Sequence, residues 1–536
     1  MAQGTKVATR RRGAARKARG AIPPFRNEAF LDFKNRRVHA SQEEALRRVR
    51  SQLGRTYPLV IDGKEVTTAQ TFTSFNPARH DEVIGRFASG GAREAEAAIA
   101  GAWKAFESWS AQPVSKRAGV LLKAARILRA RRREMNAWLT LEAGKTWPEA
   151  DGDTAEAIDF LEYYAREAIR YAGPQRVTPV PGEENEMFYI PLGVGVAIPP
   201  WNFPAAILMG LTTAPVAAGN CMILKPASAT AAIGWQCFDI LREAGVPPGV
   251  VQFLTGPGGS LGEAIVSHPR IRFINFTGSK EVGIRINEIA AKVPPGQRWL
   301  KRVVAEMGGK DAILVAEDAD LDAAADGIVS AAFGYQGQKC SACSRAIVPR
   351  RVYDALREKI VERTRTISVG APEDPAHRMG PVINRASFDK IRQHIVSGQS
   401  EGRLLTGGKA DAAKGFFIEP TVFGEVAPTA RLAQEEIFGP VLTLIPVSDF
   451  EEGLRVANGT EFGLTGSVYS RDARKLERAR SAFHVGNLYL NRKCTGALVG
   501  GHPFGGFNMS GTDSKAGGPD YLLLFLQAKS VSRKKG

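Results

Sequence analysis

In the first third of the chain, apolar and polar positions alternate with the period of a helix. Apolar residues recur at three- and four-residue spacing, which is typical of helices that bury one face. The segment 58–66 (PLVIDGKEV) differs: two short apolar runs flank Asp62-Gly63, which predicts a hairpin. The expected helices span 41–54, 92–112, 115–141 and 148–171.

From about residue 190 the pattern changes to short, wholly apolar runs separated by helical segments. Strands that alternate with helices form βαβ units around a parallel sheet that is buried on both faces. A second region of this kind begins at Ala312, so two α/β domains are predicted, joined near Glu306–Lys310. The expected strands are 194–198, 221–224, 250–254 and 272–276, and the expected helices are 204–218, 229–244 and 259–268.

Two apolar segments fall outside this alternation. The segment 521–532 (YLLLFLQAKSVS) predicts a strand with no neighbour in sequence, and such an arm completes a sheet elsewhere, for example in a partner subunit. The segment 187–224 carries no charge, but five prolines interrupt it. It is therefore not expected to span a membrane.

Positive charge is concentrated at the two ends of the chain. Eight Lys and Arg residues and no acid lie in 1–26, and three more lie in 532–535; together they carry most of the net charge of +17. The N-terminal tail is predicted to be a solvated, disordered extension. A phosphate-binding or membrane-surface arm and a transit peptide are the alternatives, and nucleic-acid binding through the tail is one candidate function, disfavoured by the modest charge of the body.

Cysteine usage indicates individual thiols rather than a disulfide framework. Five cysteines in 536 residues are typical of a reducing compartment, here the cytoplasm or alternatively a mitochondrial matrix. Cys340 and Cys343 in GQKCSACSR (337–345) have the spacing of a zinc or dithiol pair, but no second Cys or His pair accompanies them, and no metal is predicted. On this peptide alone, a nucleophilic Cys340, with or without a histidine base, and two structural cysteines both remain open.

The segment 276–283 (FTGSKEVG) is a weak candidate for phosphate binding. It follows a predicted strand and opens a predicted helix, as a phosphate-cradling turn does. Its glycines, Gly278 and Gly283, do not have the spacing of the dinucleotide fingerprint.

Seven motifs occur in a fixed order and carry a specific resemblance. They are PWNFP (200–204), LKPAS (224–228), FTGS (276–279), EMGGK (306–310), GQKCSACSR (337–345), QEEIFGPV (434–441) and PFGGFNMSG (503–511). Together they resemble the aldehyde dehydrogenase superfamily over nearly the whole chain from about residue 55.

The resemblance implies an α/β fold with a Rossmann-type cofactor domain, an α/β catalytic domain and a small β oligomerisation arm. A homodimer or higher homo-oligomer is expected. The implied parts are a basic tail and lead-in at 1–40, an NAD(P)-binding domain at 41–305 with part of the arm at 170–190, a catalytic domain at 306–490, and a substrate-anchor loop with the C-terminal oligomerisation strand at 491–536.

The resemblance also implies the chemistry. The Cys340 thiolate would attack an aldehyde carbon, the Asn202 amide would donate to the oxyanion, and Glu306 would activate the water that hydrolyses the thioester. NAD is the expected cofactor. Its implied contacts are Lys225 to the adenosine ribose, Gly278 and Ser279 to the pyrophosphate, and Glu436 and Phe438 to the nicotinamide ribose and ring.

One cofactor position departs from the family pattern. Many relatives that prefer NAD carry Glu where this chain has Ser228. The absence of that carboxylate removes repulsion against a 2′-phosphate, so NADP is expected to be tolerated.

Four segments are more specifically similar to the 1-pyrroline-5-carboxylate dehydrogenase branch of the superfamily, which oxidises L-glutamate γ-semialdehyde in proline catabolism. They are GQKCSACSR, 155–166 (AEAIDFLEYYAR), 484–500 (HVGNLYLNRKCTGALVG) and 509–522 (MSGTDSKAGGPDYL). The implied substrate contacts are Ser341, Gly496 and Ala497 for the α-carboxylate, Glu156 for the α-ammonium group, and Phe203 and Phe504 as aromatic walls.

Several alternatives accompany this hypothesis. Another semialdehyde substrate, such as succinate semialdehyde, and a thiol ester hydrolase on the same cysteine are the rival functions. Cys343 is expected to be a bystander one helical turn from Cys340, and Cys494 has no predicted catalytic role. A separate proline dehydrogenase is a conceivable transient partner.

Overall fold

Two seven-stranded sheets organise residues 22–535, the part of the chain that this computed structural model describes. The helices of this part are α1 (Arg36–Arg50), α2 (Ala92–Ser110), α3 (Val114–Ala130), α4 (Arg132–Ala143), α5 (Trp147–Tyr171), α6 (Ala206–Ala218), α7 (Ala231–Ala244), α8 (Glu263–Ser267), α9 (Lys280–Ala291), α10 (Leu321–Phe333), α11 (Arg350–Arg365), α12 (Arg385–Gly398), α13 (Arg431–Gln434), α14 (Phe450–Asn458) and α15 (Ala473–Ala482).

The strands fall into the two large sheets and four small ones. They are β1 (Arg55–Tyr57), β2 (Leu59–Ile61), β3 (Lys64–Val66), β4 (Thr71–Asn76), β5 (Arg79–Ala88), β6 (Glu183–Pro191), β7 (Val194–Ile198), β8 (Cys221–Leu224), β9 (Val251–Phe253), β10 (Phe273–Thr277), β11 (Arg302–Glu306), β12 (Ala312–Val315), β13 (Arg345–Pro349), β14 (Arg403–Thr406), β15 (Ala410–Asp411), β16 (Phe417–Ile418), β17 (Thr421–Gly424), β18 (Val441–Val447), β19 (Phe462–Gly463), β20 (Thr465–Tyr469), β21 (Asn487–Leu490), β22 (Phe507–Asn508) and β23 (Leu526–Lys534).

The first large sheet has the order β11-β10-β7-β8-β9-β2-β3. Its strands β7 to β11 run parallel, as the alternation of strands and helices predicts. The predicted hairpin is confirmed as β2–β3, which extends this sheet antiparallel. Positive φ angles at Asp62 (51°) and Gly63 (77°) make its two-residue turn. Because β7, β8, β10 and β11 are parallel, the loops that follow them meet at one edge of the sheet.

The second large sheet has the order β14-β17-β18-β13-β12-β20-β21. All its neighbours run parallel except the edge strand β14. Successive residues of β12 belong to different hydrophobic clusters, Ala312 and Leu314 to one and Ile313 and Val315 to the other. Both faces of this sheet are thus covered, as the period of two along a strand requires.

The lead-in to the first helix is more ordered than predicted. Helix α1 begins at Arg36 rather than at residue 41, after an Asn35 side chain that accepts from the first backbone N–H groups. Residues 22–35 form no helix or strand, but Asp159 of α5 accepts hydrogen bonds from the Asn27 side chain at 2.8 Å and the Glu28 N–H at 2.7 Å. The basic tail was predicted for residues 1–26. Residues 1–21 of it lie outside the part of the chain that the structure describes.

The single helix predicted over 115–141 is wrong, because α3 and α4 are separate. The break is at Arg131, whose φ and ψ are −91° and 14°. Its guanidinium reaches across to α7, where it donates to Gln236 at 3.0 Å and Asp239 at 3.3 Å. No Gly or Pro marks the break in sequence.

The strand predicted over 521–532 is also partly wrong. Residues Tyr521–Phe525 form a 3₁₀ turn, and only then does β23 begin. β23 pairs antiparallel with β6 of the same chain, and within residues 22–535 its other edge pairs with no strand. Within 170–190, the Gln175 N–H donates to the Met187 carbonyl at 2.7 Å, and β6 begins at Glu183 and pairs with β23.

The uncharged stretch 187–224 is divided among β6, β7, α6 and β8. No helix within residues 22–535 has the length and apolar character that crossing a bilayer requires.

Candidate active site

The loops after the first sheet meet the loop before β13 of the second sheet in the space between the two. The Asn202 amide, after β7, donates to the Gln338 carbonyl at 3.1 Å. The Gly309 N–H, after β11, donates to Glu436 Oε1 at 2.9 Å. Residues from both sheets thus line one cleft, and Cys340 lies in it.

The residues that precede the cysteine have unusual backbone angles. Tyr335 and Gln336 have positive φ values of 52° and 56°. Such angles cost free energy outside glycine, so neighbouring groups must hold them in place. The Tyr335 hydroxyl donates to the Ala143 carbonyl at 3.0 Å, and Gln336 Nε2 donates to the Gly144 carbonyl at 3.1 Å. The junction between α4 and α5 therefore fixes residues 334–344, the nucleophile loop.

The Cys340 thiol is half-buried. Burial raises its pKa well above the ordinary value, and the carboxylates of Asp311, Glu436 and Glu306 act in the same direction. A thiol of this kind rests in its neutral form, so attack on a carbonyl requires a base that takes the proton. Gly309 packs against the backbone of Cys340, so closely that a Cβ on Gly309 would lie 2.3 Å from the Cys340 carbonyl oxygen.

Cys343 does not lie one helical turn from Cys340, as the sequence suggested. The backbone from Lys339 to Cys343 forms turns, and Cys343 is fully buried in the core of the second sheet. Cys494 is buried as well, and its thiol donates to the Ser341 carbonyl at 3.4 Å. That contact joins the nucleophile loop to the segment where the substrate-anchor residues were predicted.

Asn202 is held beside the nucleophile loop. It lies in the turn between β7 and α6 and is 3% exposed. One amide N–H is used by the bond to Gln338, two residues before the thiol. A side-chain amide has a second N–H, which can donate to an oxygen that becomes negative at Cys340.

Glu306 ends β11 and is 7% exposed. Burial raises its pKa to about 7, although hydrogen bonds from Ser514 and Gly506 and the nearby Lys515 ammonium lower it. The Ser514 hydroxyl and N–H both donate to Oε1, and the Gly506 N–H donates to Oε2 at 3.3 Å. A carboxyl group with a pKa near neutrality suits a general base. Its charge is close enough to act on the Cys340 thiol, whose pKa it helps to raise.

Lys225 follows β8 and is the candidate for the adenosine ribose. Lys225 is 7% exposed, and burial alone lowers the pKa of its ammonium to about 8. Within residues 22–535 it forms no ion pair or side-chain hydrogen bond, so a buried donor is left for a ligand. Ser228, three residues on, is exposed at the start of the 3₁₀ turn that leads into α7.

The FTGS turn follows β10 and begins α9, with Ser279 as its N-cap. The Gly278 N–H donates to the Glu306 carbonyl at 3.0 Å, which ties this turn to the base. A Cβ at Gly278 would lie 2.6 Å from the Phe276 ring. A helix N-terminus preceded by a tightly packed glycine is a suitable place for a pyrophosphate.

Glu436 and Phe438 border the opposite side of the cleft. Burial raises the pKa of Glu436, and its carboxylate accepts the Gly309 N–H described above. Phe438 has a left-handed φ of 59°, and its ring packs edge-on against Trp201 with centroids 5.4 Å apart. The candidate cofactor residues therefore fit a dinucleotide: a free ammonium at one end, a helix N-terminus, and a carboxylate with an aromatic ring near the thiol.

The predicted anchor for the substrate carboxylate is formed by two loops. Gly496 has a φ of 82°, and Arg492 holds this turn by donating to the Gly496 carbonyl at 3.0 Å. Ala497 is half-buried beside it, and Ser341 is joined to the same loop through Cys494. The loops of Ser341 and Gly496–Ala497 are thus brought together.

The two predicted aromatic walls have different supports. The Phe203 ring packs edge-on against Tyr335, with centroids 6.3 Å apart and planes at 71°. Phe504 is half-buried and exchanges backbone hydrogen bonds with Ala516. Among the described residues the ring partner of Phe203 is Tyr335, and Phe504 has no ring partner there.

Glu156 lies on α5, three residues after Asp153. Its side chain is half-buried, and burial raises its pKa to about 8. The Asp153 carboxylate acts in the same direction, whereas the Lys145 and Lys339 ammonium groups oppose it. A carboxyl group of this kind gains most from a cationic ligand that restores its charge.

Sequence reasoning missed Lys145, Tyr335, Ser514 and Lys339 as parts of this site. Ser514 and Lys339 stand inside quoted motifs, so their position was a usable signal. Lys145 follows Gly144, which ends α4 with a left-handed φ of 69°. A lysine just after a helix is ordinarily solvated, so nothing in the pattern indicated its burial. No cluster of three His, Cys, Asp or Glu residues suited to a metal ion is found in residues 22–535.

Comparisons with known proteins agree on one family. Residues 65–531 match the model of the aldehyde dehydrogenase family. A 1-pyrroline-5-carboxylate dehydrogenase of Geobacillus kaustophilus (strain HTA426) is 55% identical over 514 residues, 95% of this chain and 99% of that protein.

Solved structures give the same result. The 1-pyrroline-5-carboxylate dehydrogenase from Thermus with bound NAD has a TM-score of 0.94 at 53% identity and covers 96% of this chain and 99% of that chain. Proline utilization A from Bdellovibrio bacteriovorus also has a TM-score of 0.94, at 42% identity, over 96% of this chain but 54% of that one.

Proposed function

The chain belongs to the aldehyde dehydrogenase family, and from that premise we propose that it oxidises L-glutamate γ-semialdehyde, the open form of 1-pyrroline-5-carboxylate, to L-glutamate. NAD is the proposed hydride acceptor. The observation that carries the proposal is that the loop of Cys340 bonds both to the Asn202 amide, through the Gln338 carbonyl, and to the loop of Gly496–Ala497, through the Ser341 carbonyl. The names of the similar proteins, 1-pyrroline-5-carboxylate dehydrogenases, support the same substrate.

The proposed chemistry begins with Cys340. The thiol gives its proton to water, its sulfur bonds to the aldehyde carbon as the carbonyl π bond breaks, and the Asn202 amide and the Cys340 N–H donate to the oxygen that becomes negative. NAD, when bound, accepts the hydride that leaves this carbon, and a thioester on Cys340 remains. Glu306 then takes a proton from water, the water oxygen bonds to the thioester carbon, and the carbon–sulfur bond breaks to release the acid.

The amino-acid end of the substrate is proposed to lie between opposite charges. Ser341 with the N–H groups of Gly496 and Ala497 would bind the α-carboxylate, and Glu156 would bind the α-ammonium group. Phe203 and Phe504 would enclose the aliphatic chain. This arrangement leaves the uncharged aldehyde at Cys340, where burial strengthens each hydrogen bond to the developing charge.

Ser228 is the position proposed to decide between NAD and NADP. It is exposed, three residues after Lys225 in the 3₁₀ turn that leads into α7, and it offers no carboxylate to repel a 2′-phosphate. Ser228→Glu is expected to lower kcat/KM for NADP while leaving kcat/KM for NAD nearly unchanged. An equal kcat/KM deficit for NADP in wild type and variant would contradict this proposal.

The assembly and location proposed for the chain follow from coarser observations. The β6–β23 pair is the proposed oligomerisation arm. All five cysteines are free thiols, which supports a reducing compartment such as the cytoplasm. The length shared with proline utilization A supports transient contact with a separate proline dehydrogenase.

NADH formation with L-1-pyrroline-5-carboxylate, succinate semialdehyde and propanal tests the proposal. Wild type should turn over the first substrate with the highest kcat/KM, and Cys340→Ala should abolish turnover of all three. Cys237→Ala is a matched control, because Cys237 is fully buried in α7. Preference for propanal or succinate semialdehyde would retain the cysteine chemistry and overturn the substrate contacts.

A further inference from the structure

The junction between α4 and α5 buries an ammonium group that the proposed reaction does not use. Lys145 is 1% exposed, and its Nζ lies 3.0 Å from Oδ2 of Asp153, which is fully buried. Burial lowers the pKa of Lys145, and the Asp153 carboxylate opposes that shift. Two charges have therefore been withdrawn from water beside the site, at a desolvation cost that an apolar pair would not carry.

The ammonium of Lys145 lies between two aromatic rings. Its Nζ is 3.9 Å from the ring centroid of Phe203 and 4.3 Å from that of Tyr335. A cation so close to two ring faces attracts both, and the attraction is strong where water is excluded. The edge-on geometry of the two rings is thus set around this one group.

Asp153 and Lys145 contact different parts of the site. Asp153 Oδ1 accepts the Ala206 N–H at 2.7 Å, at the start of the helix that follows Asn202 and Phe203. Tyr335 begins the nucleophile loop. The Lys145–Asp153 pair consequently connects the aromatic wall and the oxyanion donor with the segment that carries the thiol.

We propose that Lys145 is a positioning residue: its ammonium, held by Asp153, fixes the rings of Phe203 and Tyr335 and so the place where the substrate chain meets the nucleophile loop. The inference rests on the proposed role of Phe203 as a substrate wall. A second consequence follows from charge. The ammonium also favours the ionised form of Glu156, the proposed partner of the substrate's amino group.

The test separates positioning from stability with three variants: Lys145→Met, Asp153→Asn and the double variant. Either single change leaves one buried group without its partner, so Tm should fall; the double change removes both charges, so Tm should recover. Catalysis should not recover, because the cation between the rings is still missing. In both variants without Lys145, kcat/KM for the aldehyde should fall about tenfold or more, chiefly through KM, with KM for NAD unchanged.

Lys301→Met is the matched control. Lys301 is a partly buried lysine whose ammonium donates to the Val266 carbonyl at 2.8 Å, and burial lowers its pKa to about 8 as well. It precedes β11, the edge strand of the first sheet, and its ammonium contacts neither ring, so its removal should leave KM for the aldehyde unchanged.

Two results would overturn the inference: a double variant that regains kcat/KM together with Tm, or a folded Lys145→Met with wild-type KM. If Lys145→Met does not fold, the double variant alone decides. The assays use whichever of the three aldehydes the wild type oxidises best. A wrong substrate assignment would then show as a different preferred aldehyde in the wild type. A wrong role for Lys145 would show as unchanged kinetic constants in the variants.

Discussion

The two ends of the site each contain a carboxyl group whose pKa is raised by burial, yet the two are held differently. Glu306 at the reacting end, with a pKa of about 7, accepts hydrogen bonds from Ser514 and Gly506. Glu156 at the amino-acid end, with a pKa of about 8, has charged neighbours instead, Asp153 and Lys145. Neutral donors give a base that can release and regain a proton near pH 7. Charged neighbours give a group that becomes ionised when a cation binds.

The largest expected effect tests the reacting end. Glu306→Gln keeps the shape of the side chain but cannot take a proton, so steady-state kcat should fall about 10²–10⁴-fold. The cysteine should still react, because hydride transfer precedes the use of this base. A rapid burst of NADH equal to the amount of enzyme, followed by slow turnover, is the measurement. A variant that loses the burst as well would assign Glu306 to an earlier step.

Asn202→Ala should have the next largest effect. Loss of one oxyanion donor costs about 10²–10³-fold in kcat. Because the substrate's amino-acid end does not contact this amide, its KM should change little. A decrease that falls entirely in KM would place Asn202 at the other end of the site.

Glu156→Gln tests the amino-acid end and should act on binding. We expect KM for the amino aldehyde to rise about tenfold, equal to roughly 1.4 kcal/mol, with kcat nearly unchanged. Succinate semialdehyde, which has no amino group, should not distinguish variant from wild type. Glu162→Gln on the same helix is the control, since Glu162 pairs with Arg129 and Arg166 instead.

The pH dependence of that difference has a defined sign. Glu156 is neutral below its pKa of about 8 and ionised above it. The KM advantage of wild type over Glu156→Gln should therefore grow as pH rises through about 8. The ratio of the two enzymes cancels the pH dependence of ring opening in the substrate. An advantage that shrinks with rising pH would contradict the proposed contact.

The smallest expected effect concerns Ser514, which donates hydrogen bonds to Glu306 and none to Glu156. Its hydroxyl bond lowers the pKa of Glu306, so Ser514→Ala should raise that pKa further. Because the base works when ionised, the acid limb of the kcat profile should move to higher pH. A few-fold loss near neutrality, recovered at higher pH, is the expected result.

Ser510→Ala is the control for this shift. The Ser510 hydroxyl lies on the same loop but accepts the Gly463 N–H at 3.0 Å and does not touch Glu306. A limb that moves equally in both variants would mean that loop packing, not the hydroxyl bond, sets the pKa.

Much of the fold could be predicted because its central strands are buried on both faces. β7 and β8 have the bounds that the apolar runs indicate, since every residue of these two strands is apolar and both faces are covered. The break at Arg131 and the 3₁₀ turn at Tyr521–Phe525 could not be predicted. Contacts with residues far away in sequence decide both of them.

The site divides in the same way. The thiol, the amide and the carboxylate of Cys340, Asn202 and Glu306 could be proposed because each stands in a motif of fixed residue types. The burial of Lys145 between two rings could not, because one ring comes from the turn after β7 and the other from the nucleophile loop. The local sequence around Lys145 contains no information about a contact between segments so far apart in the chain.

The 3₁₀ turn near the C-terminus has a consequence for biosynthesis. Tyr521 and Phe525 belong to the hydrophobic core of the first sheet, where the Tyr521 hydroxyl donates to Asn275 at 3.1 Å. The Phe525 carbonyl accepts from the Asn220 amide at 3.0 Å, at the start of β8. Most strands of the first sheet are synthesised well before Tyr521 and Phe525. The core of that sheet therefore gains these two side chains only after the strands of the second sheet have been synthesised.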